Sequence, residues 1–198
     1  MELLISCGII AIVSSLVLVK YSAFDSTTLL KSTAYDIALS LREAQVKSVS
    51  VVNNGTSVAA FDYPYGMSFS DTTTVSNRGL TNKLYVAFRF EDPDDPPVYN
   101  AGNVGKTIGT TTIGRSMIIS DICIKIVNQN NYNCAISRLD VSFRRPEFKA
   151  LFWVAGDGYG PGNQPNIESA KILVSSPNAG TVFATEVTRL GQISVYKE

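Results

Sequence analysis

Glu2-Leu3-Leu4-Ile5-Ser6-Cys7-Gly8-Ile9-Ile10-Ala11-Ile12-Val13-Ser14-Ser15-Leu16-Val17-Leu18-Val19 opens the chain, and its reading decides how the rest is read. A lone carboxylate precedes a continuous apolar run from Leu3 to Val19. At about 17 residues the run sits at the lower edge of what spans a hydrocarbon core as a helix. Its soft positions, Ser6, Cys7, Gly8, Ser14 and Ser15, are small enough to let helices approach closely. A cleaved signal peptide would add a basic leader region and a small-residue cleavage site, and neither is visible.

No proline or glycine-rich break separates this run from the next segment. From Lys20 the pattern turns amphipathic: Leu30, Ala34, Ile37, Leu41, Ala44 and Ser48 recur at spacings of three and four, one stripe of a helix. Asp36, Arg42, Glu43, Gln45 and Lys47 occupy much of the remaining surface. Asn53-Asn54-Gly55 is a stop signal. A helix from Leu3 to about Val52 would be about 75 Å long, more than a domain of this size can bury. Its first half is therefore expected in a membrane or among other copies of the chain, and its second half against the remainder of the molecule.

That remainder reads as one β-rich head. Short β-prone runs, separated by turn residues, fall at 57–61, 66–70, 84–90, 116–127, 135–143, 150–155, 169–175, 181–188 and 192–196, the pattern of an antiparallel sheet system. Ile122, Ile124 and Ile126 alternate with Asp121, Cys123 and Lys125, and Leu139, Val141 and Phe143 alternate with Asp140 and Ser142. Two segments, 91–105 and 156–166, read as surface loops. The fold class expected is α+β: a long N-terminal helix, one half membrane-embedded and one half amphipathic, packed on an antiparallel β-sheet head. The organisation expected is 1–20 for the filament-core or transmembrane half, 21–53 for the packed half and 54–198 for the head.

The totals exclude several function classes. Lys plus Arg and Asp plus Glu balance at 17 each in 198 residues, so no general attraction to nucleic acid or anionic lipid is built in. Histidine is absent, which removes Ser/His hydrolase triads and His-based zinc sites. Of the three cysteines, Cys123 and Cys134 flank a turn-like Asn128-Gln129-Asn130-Asn131, spaced as a staple across a hairpin in an oxidising compartment; free thiols are the alternative. Glu91-Asp92-Pro93-Asp94-Asp95-Pro96-Pro97 is either a solvated acidic loop or a calcium site, and it lacks the spacing of a calcium-binding loop. Gly102-Asn103-Val104-Gly105-Lys106-Thr107 lacks the early glycine of a phosphate loop and reads as a turn. Asn54-Gly55-Thr56 matches a glycosylation acceptor. Trp153 is expected in the core or between sheets. No enzyme, cofactor or metal is expected.

One resemblance runs the length of the chain. Glu2-Leu3-Leu4-Ile5 followed by Ile9-Ile10-Ala11-Ile12-Val13 resembles the start of the type IV pilin-like family. Ala34-Tyr35-Asp36-Ile37-Ala38-Leu39-Ser40-Leu41-Arg42-Glu43-Ala44 is similar to the helical stretch of its H-type pseudopilins and FimT-like minor pilins. In the head, Tyr65-Gly66-Met67-Ser68-Phe69, Val141-Ser142-Phe143-Arg144-Arg145-Pro146, Ala170-Lys171-Ile172-Leu173-Val174 and Leu190-Gly191-Gln192-Ile193-Ser194-Val195 resemble that group's strands in order. The family's glutamate stands fifth after a Gly-Phe processing junction, whereas here it is second, which predicts a start truncated by a leader and about three residues. The family's proline near the end of the apolar segment is missing.

The resemblance implies a non-catalytic structural subunit of a type IV pilus-like or type II secretion filament. It implies a single-pass stay in the bacterial inner membrane with the head outside the cytoplasm, processing by a prepilin peptidase with N-terminal methylation, and extraction by an assembly platform into a helix of pilin-like subunits. Glu2, Leu3, Leu4 and Ile5 would mediate filament assembly, Glu2 by pairing with a neighbour's N-terminal amine, because a carboxylate at the edge of a membrane helix is costly unpaired. An ordinary helix-start acid at the headgroup level is the competing role for Glu2. The alternative function is a membrane-tethered binding module that takes DNA through Arg138, Arg144, Arg145, Lys149, Lys171 and Arg189.

Overall fold

The computed structural model describes residues 2–50, 64–73, 79–90, 98–99, 105–114, 116–144, 146–160, 162–176 and 180–198. For residues 2–4, 16–25, 90, 105 and 106 it describes the backbone alone. One helix, α1 (Glu2–Val49), precedes ten strands: β1 (Tyr65–Ser70), β2 (Leu84–Phe90), β3 (Gly105–Thr112), β4 (Ile118–Ile126), β5 (Tyr132–Asn133), β6 (Arg138–Phe143), β7 (Ala150–Ala155), β8 (Ile167–Ser175), β9 (Val182–Thr188) and β10 (Ile193–Lys197).

The strands form two five-stranded sheets, with orders β3-β2-β1-β6-β7 and β10-β9-β8-β4-β5. Every pairing is antiparallel. The second half of α1 runs along the seam and touches β1 and β6 of the first sheet and β8, β9 and β10 of the second. All six stripe positions, Leu30, Ala34, Ile37, Leu41, Ala44 and Ser48, are buried. The five apolar ones meet Phe69, Val141 and Phe143 from one sheet and Ile122, Ile172 and Val187 from the other in one apolar core. Fully burying each large aliphatic or aromatic side chain is worth about 1.5–3 kcal/mol, so this shared core holds helix and sheets together. Lys47 in the last turn complements the negative end of the helix dipole.

The expected architecture, a long helix with a membrane-embedded half packed on an antiparallel β-sheet head, is corrected. Among the described residues the chain is mostly antiparallel β, with ten strands in two sheets. Among the described residues, no helix is long and apolar enough to cross a membrane. The apolar side chains described there, from Ile5 to Ser15, cover about 16 Å of helix against a hydrocarbon core of about 30 Å, and Ser6, Gly8, Ser14 and Ser15 interrupt them.

The physical reason for two sheets lies in the first sheet's double burial. A head with one solvated sheet face would leave alternate residues wet, yet all six residues of β1 and all six of β6 are buried. One face meets α1. The other carries a smaller cluster in which Val86 and Phe88 of β2 pack with Leu80 and Tyr99. β4, with Ile122 and Ile124 fully buried, pairs with β8 and closes the core from the opposite side.

β2 and β7 occupy the ranges of their predicted β-prone runs, while β3 falls partly on a stretch read as loop and turn. Its Gly-Lys-Thr-Ile-Gly-Thr-Thr-Thr sequence has little apolar alternation because it is an edge strand whose residues 107–112 are exposed, held by pairing to β2. Gly105, Lys106 and Thr107 open this strand, so no helix N-terminus follows them to cradle a phosphate. The predicted run 57–61, the Asn53-Asn54-Gly55 stop, the Asn54-Gly55-Thr56 match and the acidic stretch 91–97 lie outside the described residues. The loop after β7 is pinned by Gln164. Its side-chain amide accepts from the Val154 backbone amide at 2.8 Å and donates to the Val154 carbonyl at 3.0 Å, pairing an edge strand as another strand would.

Candidate assembly surface

α1 divides into a bound and an unbound part. Between residues 26 and 49 its inner face is clasped by hydrogen bonds as well as packed. Thr185 Oγ1 donates to the Ala34 carbonyl at 3.0 Å, and Arg42 donates to the Ile193 carbonyl at 3.3 Å. Gln45 Nε2 donates to the carbonyls of Phe148 (3.1 Å) and Gly191 (3.0 Å). These bonds tie the helix to β9, to β10 and the turn before it, and to the loop before β7. None of Gln45, Thr185 or Gly191 carries a local sequence signal for this role, because each acts through a contact more than a hundred residues away in the chain.

The unbound part is the start. Every described side chain from Ile5 to Ser15 is exposed, including Ile5 at 64%, Ile9 at 58%, Ile10 at 64%, Ile12 at 65% and Val13 at 53%. At about 100° per residue these five aliphatics fall on one broad face of the helix, and the small Cys7, Gly8, Ala11, Ser14 and Ser15 fall on the other. Of the four predicted assembly residues, Ile5 is thus an exposed apolar side chain, and the side chains of Glu2, Leu3 and Leu4 lie outside the described residues. Cys7 is a free, exposed cysteine on the same segment.

The predicted staple is formed: Cys123 and Cys134 are disulfide-bonded, with Cα atoms 3.9 Å apart. Cys123 lies on the β4 face turned away from α1, opposite Ile122 and Ile124, and is 2% exposed beneath its partner. Its pairing partner on β8 is Lys171. Around Lys171 the outer face of the second sheet carries a polar and aromatic cluster. Lys171 Nζ lies 4.1 Å from the Tyr132 ring centre, 5.2 Å from that of Tyr196 and 3.1 Å from Glu198. Tyr132 and Tyr196 both donate to the Glu186 carboxylate, at 2.6 and 2.9 Å.

Burial opposes charge on Lys171, but hydrogen bonds and attraction from Tyr196 and Glu198 outweigh it and raise the ammonium above its ordinary range. Tyr196 is pushed up to about 12, first by burial and then by donating to Glu186. Glu186 is lowered, its burial outweighed by the donors Tyr132, Ser169 and Tyr196 and by the Lys171 charge.

The six basic residues proposed for phosphate contacts do not share a surface. Lys171 belongs to the cluster just described. Arg138 is buried on the far face of the first sheet, where Nε and Nη2 grip Asp140 at 3.1 and 2.5 Å. Asp140, fully buried, also accepts from Ser68 Oγ at 2.5 Å and the Tyr99 amide at 2.9 Å. Loss of solvent raises its carboxyl above the ordinary range, against the Arg138 charge and the Ser68 and Tyr99 hydrogen bonds, which favour the ionised form. Trp153 is buried there with its ring 5.0 Å from the Arg138 guanidinium. Alternation marked Asp140 and Ser142 as a polar face; the tertiary fold covers that face.

Arg144, Lys149 and Arg189 do line one shallow groove of about 320 Å³ with Leu151. Lys149 is paired with Glu147 at 2.7 Å and Arg189 donates to Asn166 at 2.7 Å. Arg145 lies outside the described residues. A second groove of about 190 Å³, between α1 and β3, is lined by Ser40, Glu43, Lys47, Tyr65, Ile108 and Thr111. It falls below the about 300–1,000 Å³ common for small-molecule sites. Among the described residues, no group of three or more acidic or cysteine side chains is gathered to hold a metal. No protein-family model, curated protein or solved structure matches the chain.

Proposed function

We propose that the chain is a non-catalytic subunit of a helical filament and that it joins its neighbours through the first half of α1, as the resemblance to pseudopilins and minor pilins implies. The observation that carries this reading is the exposed aliphatic surface from Ile5 to Val13, where Ile5, Ile9, Ile10, Ile12 and Val13 are each more than half exposed. Such an exposed aliphatic face demands a cover. Helices of neighbouring copies supply one, and the small Ser6, Gly8, Ser14 and Ser15 let them approach closely. The second half of α1, clasped in the seam, then transmits the position of each helix to its β body.

The role of Glu2 as the charge that registers one helix against the next comes from the resemblance. Co-purification of tagged subunits with filaments tests the whole reading. Ile9→Asp and Glu2→Ala are each expected to leave thermal unfolding of the β body unchanged and to remove the subunit from filaments. Incorporation of both variants at the wild-type level would refute it.

A further inference from the structure

We infer that the Cys123–Cys134 disulfide is a redox-operated latch: closed, it holds Tyr132 across Lys171 and Glu186, and opened, it releases both to solvent. The latch lies on the outer face of the second sheet, away from α1, and is therefore independent of the filament reading.

The latch follows from how short the backbone ladder of β5 is, its other ties being side-chain bonds of Tyr132 to Ser169 and Glu186 and of Asn133 to Asp157. That strand is two residues long, and its ladder consists of Tyr132 opposite Lys125 and Asn133 opposite Ile124. It lies at the edge of the sheet, between exposed residues 128–131 on one side and exposed Cys134 and Ala135 on the other. A two-residue pairing is marginal in water. The disulfide, closing a loop of sequence separation 11, removes much of the chain entropy that would otherwise carry β5 away.

What β5 carries is the cover. The Tyr132 ring lies 4.1 Å from Lys171 Nζ, and its hydroxyl donates to Glu186 at 2.6 Å and meets Ser169 at 2.9 Å. Beneath it the Lys171 side chain is only 13% exposed despite its charge. Because Lys171 pairs with Cys123 in the β4–β8 register, the covered amine and the bond that holds its cover are on adjacent strands.

Opening requires a dithiol reductant. One of its thiolates attacks the Cys134 sulfur, Cys134 being exposed and Cys123 buried. The S–S bond breaks, Cys123 leaves as a thiolate that takes up a proton, and a mixed disulfide forms on Cys134. The reductant's second thiolate then attacks its own sulfur in that mixed disulfide and releases Cys134, which is protonated in turn. Two electrons and two protons pass from the reductant, which ends as a disulfide, to two cysteine thiols.

The test is acylation of the full chain by an N-hydroxysuccinimide ester, with modification of Lys171 quantified by peptide mass spectrometry against the exposed Lys31 and Lys197. Dithiothreitol treatment is expected to raise the Lys171 rate at least about fivefold while the two reference lysines are unchanged, and Cys134→Ser is expected to behave as the reduced chain does. Tyr132→Leu, with its disulfide intact, is expected to show the raised rate without reductant. An unchanged Lys171 rate once both thiols are titrated as free would overturn the inference. So would loss of the far-ultraviolet circular dichroism spectrum on reduction, which would make the disulfide a support of the whole sheet rather than a latch on one edge.

Discussion

Replacing Asp140 by leucine takes the carboxylate from a fully buried pair. Arg138, 8% exposed, would keep its charge with the Tyr99 carbonyl at 2.5 Å and the rings of Tyr99 and Trp153, but without its counter-ion. The Ser68 hydroxyl and the Tyr99 amide would lose their acceptor at the same time. Breaking a buried pair from one side costs about 3–5 kcal/mol. With a urea m-value of about 2 kcal/mol/M for a chain of this size, the unfolding midpoint should fall by about 1.5–2.5 M. The double variant Arg138→Met, Asp140→Leu removes both charges and refills the space with apolar atoms, and such replacements are often neutral or stabilising. It should therefore recover all but about 1 kcal/mol, far less than the sum of the two single costs in a double-mutant cycle. Urea unfolding followed by Trp153 fluorescence and by circular dichroism measures each midpoint. A single-variant cost below about 1 kcal/mol, or a double variant as unstable as the sum of the singles, would refute the claim that the two charges are worth keeping buried only because they face each other.

Gly191→Ala should cost more than about 2 kcal/mol, because φ is +84° there and an added Cβ would overlap the Phe148 carbonyl and the Gln45 amide. A thermal melt lowered by only a degree or two would show that the α1 clasp yields easily. Alkaline stability should report the Lys171 cluster. Tyr196 and Lys171 both hold their protons more firmly folded than unfolded, so the stability they contribute is complete below about pH 10 and is lost as pH rises, for Tyr196 through about 12. Tyr196→Phe should flatten the fall between those values, and an unaltered slope of denaturation midpoint against pH would exclude the cluster as its source. Glu186 works in the opposite direction. Its lowered folded value means that its contribution is present above pH about 4.5 and disappears as pH falls through that lowered value, so Glu186→Gln should lessen the acid sensitivity of the melt.

Much of the local structure was legible before any coordinates. The Leu30-to-Ser48 stripe predicts the face that α1 buries, since a helix turns 100° per residue and a buried stripe must repeat every three or four. The strict alternation at 122–126 separates core from outer face on β4, and the spacing of Cys123 and Cys134 allows the bond that forms. The exposed apolar start of α1 was equally plain, being a property of composition alone. Periodicity, however, describes one segment at a time. It does not say which strands pair or whether a second layer will cover the face that looks polar. Asp140 and Ser142 read as a polar side and are buried, and Asp140 is bonded there by Arg138 and by the backbone of Tyr99 from a distant segment. β3 has no alternation to reveal it and exists because β2 offers it a ladder. By itself, then, the sequence determined where the helix packs and most of the strands and made the cysteine pairing an option, since each follows from short-range spacing and residue type. The division into two sheets, the clasp on α1 and the cover over Lys171 were decided by the tertiary structure alone, since each is a contact between residues that only folding brings together.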